Sequence, residues 1–294
     1  MTSSGHDFEE LARMATSAEA ADVRRAHELA VGGMRADARL GLVAATAYDR
    51  LRVFDGRPQK FGTHAIAERG DLVAWPVDPA TTDTERAKWG VGKLQHLLER
   101  AAAGPVVDKQ LLRQAVRRRR ASIADDARAP AAGALRAAGL AALGEGCAGA
   151  VVAAYWPLAS EIDPRPLARA LRDDFGARLA LPSVDGDQLW FGAWGEDAEL
   201  QPAGFGALGP AHGAEQLRPD VVLAPLVACD RRGGRLGQGK GYYDRALSQL
   251  DVDGGAYVVG VAFDCQLSPA VPTEAHDRRL DAVLTDREWI ALSS

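Results

Sequence analysis

Cysteine is scarce in this chain: three residues in 294, Cys147, Cys229 and Cys265, far apart and without a CxxC pair. That argues against a disulfide framework or a zinc site. It fits a cytoplasmic protein in which each thiol is a small buried apolar residue. The six histidines (His6, His27, His64, His96, His212 and His276) show no ligand spacing either. Long apolar runs are missing, so no segment is expected to span a bilayer. The opening Met1-Thr2-Ser3-Ser4-Gly5-His6-Asp7 lacks the basic patch and apolar core of a signal peptide. Positive charge is not in excess. A net charge of -5 gives no general pull towards nucleic acid or anionic membrane, and neither is expected as a partner. Hydrophobic residues make up 47% and charged residues 26%, which fits a soluble globular protein with a real core. The length is comfortable for two domains.

From Asp7 to Arg52 alanine, glutamate and arginine dominate, and Leu11, Met14, Ala15 and Ala18 recur at helical spacing. Gly32-Gly33 is expected to separate two helices there. Phe54 to Trp75 reads as short strands with turns at Asp55-Gly56 and Arg57-Pro58. A helix is expected from Thr82 to Ala103, with Asp83 as its N-cap. Ala101-Ala102-Ala103-Gly104-Pro105 is the best boundary, dividing residues 1–104 from 105–294. Beyond it strands and helices alternate. Strands are expected at Val151–Trp156, Arg178–Val184, Leu189–Trp194, Val221–Cys229, Tyr257–Phe263 and Ala282–Thr285, and helices at Pro164–Phe175 and Tyr242–Leu250. This is an α/β pattern: a mostly parallel sheet with helices on both faces, three layers deep, preceded by a smaller, mainly helical α+β module. Ligands in such sheets sit beyond the carboxyl ends of the strands.

The segment Arg235-Leu236-Gly237-Gln238-Gly239-Lys240-Gly241-Tyr242-Tyr243-Asp244-Arg245 is the most informative. It lacks the third glycine of a dinucleotide fingerprint, and no Ser or Thr follows Gly239-Lys240 as a P-loop requires. Yet glycines at this density let backbone N–H groups converge on one point. A lysine inside that concavity suits a polyphosphate, and the adjacent carboxylate suits its metal. The alternative is a surface turn between a strand and a helix.

Lys109, Arg113 and Arg117 lie four apart on one helix face, where like charges repel unless an anion covers them. The alternative is a solvated basic face continued by Arg118, Arg119 and Arg120. In Ala154-Tyr155-Trp156-Pro157-Leu158-Ala159-Ser160-Glu161-Ile162-Asp163, Tyr155 and Trp156 could stack on a flat heterocycle. Glu161 could accept from the N–H groups of a pterin-like ring. The alternatives are a core tryptophan and a surface acid. In Pro272-Thr273-Glu274-Ala275-His276-Asp277-Arg278, Asp277 could join Asp244 in holding Mg2+, with Asp281 competing for that role and turn chemistry as the alternative.

Taken in order, these pieces resemble the 5-formyltetrahydrofolate cyclo-ligase family across residues 108 to 290. The resemblance runs through Lys109-xxx-Arg113, Tyr155-x-Pro157 with Glu161-x-Asp163, Leu181-Pro182-x-Val184, Phe205-Gly206, the glycine segment, and Gln266, Pro272 and His276-Asp277. It implies ATP- and Mg2+-dependent closure of 5-formyltetrahydrofolate to 5,10-methenyltetrahydrofolate through a phosphorylated formyl group. It also implies that Lys109, Arg113 and Arg235 to Tyr243 hold ATP, with Lys240 on the γ-phosphate. Trp156, Glu161 and Gln238, Gly239, Lys240, Gly241 and Tyr242 would face the folate, and Asp244 and Asp277 would hold the metal. Two departures stand out: Gly209, where the family often has an acid before the proline, and Ala228-Cys229-Asp230, where it often has Ala-Phe-Asp.

Pro58-Gln59-Lys60-Phe61-Gly62-Thr63, Trp75-Pro76-Val77-Asp78, Thr82-Asp83 and Trp89-Gly90-Val91 resemble a small uncharacterised bacterial domain. A docking or regulatory module with a protein partner is the default expectation for this part. Two other readings of the chain compete with the cyclo-ligase: a non-catalytic sensor of folate or nucleotide, and an ATP-dependent relative with a different N-formyl or heterocyclic substrate.

Overall fold

The computed structural model describes residues 7–99, 104–204, 206–252, 254–275 and 277–292. Phe205, His276 and residues 101–103 of the expected boundary lie outside them. The chain divides into two compact units, residues 1–115 with 269–275, and residues 116–268 with 276–294.

The first unit opens with three helices where two were expected: α1 (Phe8–Ala15), α2 (Ala20–Gly33) and α3 (Leu40–Phe54). Asp7 caps α1 by accepting from the Glu9 N–H at 3.3 Å, and Leu11 and Ala15 form its buried stripe. The break between α1 and α2 lies at Thr16, whose side chain turns back onto the Arg13 carbonyl at 3.1 Å. Next come β1 (Ala65–Glu68) and β2 (Asp71–Ala74), an antiparallel hairpin. The single helix expected from Thr82 is instead two, α4 (Asp83–Lys88) and α5 (Leu94–Glu99). Thr82 rather than Asp83 is the N-cap, accepting from Glu85 N–H at 3.2 Å. Gly90, at φ +67, stops the first of the two helices. Then follow β3 (Val106–Val107), parallel to β1, and α6 (Lys109–Ala121), within which the division between units falls. The segment 269–275 belongs to this unit through Thr273, which bonds Ala67 and Arg69 of the β1 hairpin at 3.1 and 2.9 Å.

The second unit comprises α7 (Asp125–Leu143), β4 (Val151–Ala153), α8 (Arg165–Phe175), β5 (Arg178–Asp185), β6 (Gln188–Ala193), β7 (Leu200–Pro202) and β8 (Leu208–Pro210). It continues with β9 (Val221–Pro225), β10 (Ala228–Cys229), β11 (Arg235–Leu236), α9 (Tyr242–Val252), β12 (Tyr257–Ala262), β13 (Ala282–Thr285) and β14 (Trp289–Ala291). Among the described residues, seven strands form one sheet in the order β14-β13-β12-β9-β4-β5-β6, parallel except at its two edge strands. Side chains alternate across it. Val152, Leu179, Leu181, Leu223, Val259 and Val261 pack with Leu135 of α7 and Leu167 and Leu171 of α8. Ala153, Ala180, Val222, Ala224, Val258 and Ala262 pack with Ala246, Leu247 and Leu250 of α9. The unit is thus the expected three-layer α/β/α arrangement with a mostly parallel sheet.

The apolar run Val221–Cys229 is not one strand. It stays in the sheet to Pro225, which has no N–H to extend the ladder, and then enters the β10–β11 hairpin through the bond from Val227 N–H to the Leu236 carbonyl at 2.7 Å. The glycine segment therefore leaves β11, one hairpin beyond the carboxyl end of β9.

Candidate active site

Strand order places the site. After β4 the chain moves to one side of the sheet through β5, and after β9 it moves to the other through β12, so β4 and β9 are neighbours at the switch point. Loops leaving two such strands diverge and open a crevice. The loop after β4 carries Trp156 and Glu161. The hairpin after β9 carries the glycine segment.

The two loops meet. Gln238 of the glycine segment donates from Nε2 to Glu161 Oε1 at 3.3 Å, and Arg117 of α6 donates from Nη2 to Gln238 Oε1 at 2.6 Å. Glu161 also accepts from the Leu158 N–H at 3.0 Å. Burial pushes the Glu161 carboxyl above its ordinary range, while Leu158, Arg120 and Gln238 pull it down. Burial first, then the Glu161 charge, raises the Tyr243 phenol.

The loop itself depends on glycine at two points. Gly239 and Gly241 have φ of +101 and +70, where a Cβ is strained. Lys240 between them is exposed. Arg245 braces the segment: Nη1 donates to the Lys240 carbonyl at 3.3 Å, its other nitrogens reach the Asp187 carbonyl, and its guanidinium lies 5.0 Å from the Tyr242 ring centroid.

Arg235 is buried in β11 and pairs with Asp244 in the first turn of α9. Asp244 therefore faces an arginine across the glycine segment. Asp281 is committed to the Val258 N–H at 2.8 Å and to Arg278 at 3.0 Å, which makes it a structural acid. Asp277 is half-buried at the start of the segment leading to β13. Among the described residues no cluster of three metal-binding side chains occurs. Mg2+ bound with a nucleotide does not need one, since one or two carboxylates plus phosphate and water oxygens complete its octahedron. The part-exposed hard oxygens of Asp244 fit that donor set.

Tyr155 is a core residue, 3% exposed, with its hydroxyl spent on the Ile162 carbonyl at 2.9 Å, so it does not stack on a ligand. Trp156 is half-buried, edge-on to Trp194, and already carries Arg165 over its ring at 4.3 Å from the centroid. Lys109 and Arg113 sit on consecutive turns of α6 in the first unit, where Lys109 pairs with Glu274 at 2.8 Å.

One of the two departures gains a physical reason, and the acid retained in the other gains a role. A Cβ at Gly209 would lie 2.6 Å from both the Pro182 carbonyl oxygen and the Ala203 Cβ, so β8 admits no acid there. Asp230 is buried and shapes the β10–β11 turn by accepting from the Arg232 and Gly234 N–H groups, each at 2.9 Å.

The basic run of α6 is not a wholly solvated face. Arg119 bonds Leu267 and Ser268, and Arg120 is buried at 5% exposure. A signal for Arg120 was available: it lies four residues beyond Val116 and eight beyond Leu112, both fully buried, and so on the inward stripe of the helix. No sequence signal pointed to Arg245 or Asp187 as braces.

Residues 105–286 match the model of the 5-formyltetrahydrofolate cyclo-ligase family. The chain belongs to that family. It is 36% identical over 154 residues to a 5-formyltetrahydrofolate cyclo-ligase of Mycolicibacterium smegmatis, covering 48% of this chain and 76% of the relative. It is 45% identical over 75 residues to that of Escherichia coli K12, covering 24% and 41%. The solved 5,10-methenyltetrahydrofolate synthetase of Aquifex aeolicus superposes with a TM-score of 0.55 at 30% identity, covering 63% of this chain and 93% of that one. The chain is therefore an enzyme of this ligase family. No helix among the described residues is long and apolar enough to cross a membrane.

Proposed function

We propose that the second unit closes 5-formyltetrahydrofolate to 5,10-methenyltetrahydrofolate at the expense of ATP. The observation that carries the reading is the contact between Gln238 and Glu161, which joins a phosphate-type glycine loop to a half-buried carboxylate suited to a pterin edge.

The chemistry follows from the leaving group. The formyl oxygen attacks the γ-phosphorus of ATP, and the bond from that phosphorus to ADP breaks. The formyl carbon, now bearing a good leaving group, is attacked by N10, which loses its proton. The carbon–oxygen bond then breaks, and phosphate departs. Catalysis of this kind rests on positioning and charge neutralisation. The Gly237–Gly241 N–H groups cradle the phosphates, and Lys240 balances charge on the transferred phosphoryl group. Arg235, Leu236, Tyr242 and Tyr243 shape the nucleotide side of the loop. Glu161 and Trp156 orient the pterin. Asp244 and Asp277 are the carboxylates that would hold Mg2+, which would neutralise phosphate charge when bound. The reading predicts one ADP and one phosphate released for each methenyl product. ADP release without methenyl formation would contradict it.

A further inference from the structure

Arg120 is an unusual residue in the second unit. It is 5% exposed, and both Nε and Nη1 are buried without a hydrogen-bond partner. Buried donors are almost always paired, and an unpaired one on a charged group is among the costlier features a fold can carry. Its electrostatic neighbours are, in order of effect, Glu161, Tyr155, Arg117 and Cys265. None of them satisfies it. Tyr155 is spent on Ile162, Arg117 on Gln238, and Glu161 accepts from Leu158 and Gln238. The site therefore holds an arginine with two unpartnered donors and, as its strongest electrostatic neighbour, a carboxylate with acceptor capacity left.

A ligand edge that carries donors beside an acceptor completes both groups at once. The pterin edge is such an edge: its 2-amino group and N3–H donate, and the adjacent C4 carbonyl accepts. We infer that Arg120 binds the reduced folate directly, donating to the C4 carbonyl oxygen through one of its unpartnered N–H groups while Glu161 accepts from N3–H and the 2-amino group. This rests on the assignment of Glu161 to the pterin made above. It gives the enzyme a reason to keep an unpartnered arginine on the inward stripe of α6.

The test is calorimetric titration of the full-length chain with 5-formyltetrahydrofolate, with its analogue bearing an amino group in place of the C4 carbonyl, and with MgADP. Arg120→Met should lose about tenfold to a hundredfold for the carbonyl ligand, the range for hydrogen bonds to a charged group, lose much less for the amino analogue, and keep its MgADP affinity. The two losses are compared because the analogue also lacks the N3–H offered to Glu161. Arg120→Lys, with a single compact charge, should fall between. Equal losses for the two ligands overturn the inference. So does unchanged binding of the carbonyl ligand by Arg120→Met, or a loss confined to MgADP. Folded wild type that binds neither folate ligand overturns the proposed function itself, and this inference with it.

Discussion

A buried carboxylate and a half-buried one, with two buried arginines, set the halves of this chain against each other. In the first unit Asp49 is fully buried, and its oxygens are occupied by Lys60 N–H at 2.6 Å, Phe61 N–H at 2.9 Å, Thr63 N–H at 3.1 Å and Thr63 Oγ1 at 2.8 Å. Arg86, 2% exposed, reaches the carbonyls of Thr81, Phe61 and Lys60 and the Asp83 carboxylate. In the second unit Glu161 accepts from one backbone N–H and one distant amide, and Arg120 bonds nothing through Nε or Nη1. Burial pushes both acids above their ordinary range. The difference is occupancy. A saturated buried charge holds loops together, whereas Glu161 and Arg120 keep bonding capacity that the proposed folate site would use.

The contrast can be broken by mutation. Asp49→Ala should leave four donors without their carboxylate and lower unfolding stability by about 3–5 kcal/mol, read from a denaturant midpoint. Glu161→Gln should shift the same midpoint by less than about 1 kcal/mol while weakening folate binding roughly tenfold or more. Similar stability losses in both variants would erase the distinction. Lys240→Ala should cut turnover roughly a hundredfold to a thousandfold with an unchanged melting curve. Unchanged turnover would remove the phosphate-cradle account of the glycine segment. Gly209→Asp should be destabilising by about 1–3 kcal/mol, because its Cβ meets backbone at Pro182. Normal stability in that variant would remove packing as the reason for glycine at position 209.

The smallest expected effect is pH-dependent. Burial, with Arg50 nearby, lowers the His64 pKa from 6.5 to about 3. The unfolded chain takes up a proton below 6.5 that the folded chain refuses until about 3, so His64 makes stability fall as pH drops through that window. His64→Asn should flatten the loss between pH 7 and pH 5 by at most about 2 kcal/mol. An unaltered slope would assign the acid lability to other groups.

Much of the second unit was legible in the sequence because local and tertiary preferences agree there. Tyr257–Ala262 and Ala282–Thr285 are apolar stretches that the sheet buries, and Pro164 and Gly176 bracket α8 as punctuation predicts. Reading failed where composition hides a change of direction. Val221–Cys229 looks like one strand although Pro225 ends its ladder, and the Thr82 helix looks continuous although Gly90 breaks it. The glycine segment, Glu161 and Asp244 stood out by residue type and order. The pairing of Arg235 with Asp244, nine residues apart across the loop, and the burial of Arg120 in a run of arginines depend on packing that no local pattern encodes. The N-terminal unit yielded its elements and not a task, since Asp49, Gln59 and Arg86 are spent on one another's neighbourhoods.

The central claim is that the crevice between the β4 and β9 loops performs ATP-driven ring closure on a reduced folate. Its most direct test is to mix the purified full-length chain with MgATP and 5-formyltetrahydrofolate and follow the absorbance of the methenyl chromophore. The account predicts a chromophore that grows with enzyme concentration, requires ATP, and fades to near background with Lys240→Ala. Folded protein that binds both ligands and forms no methenyl product would contradict it.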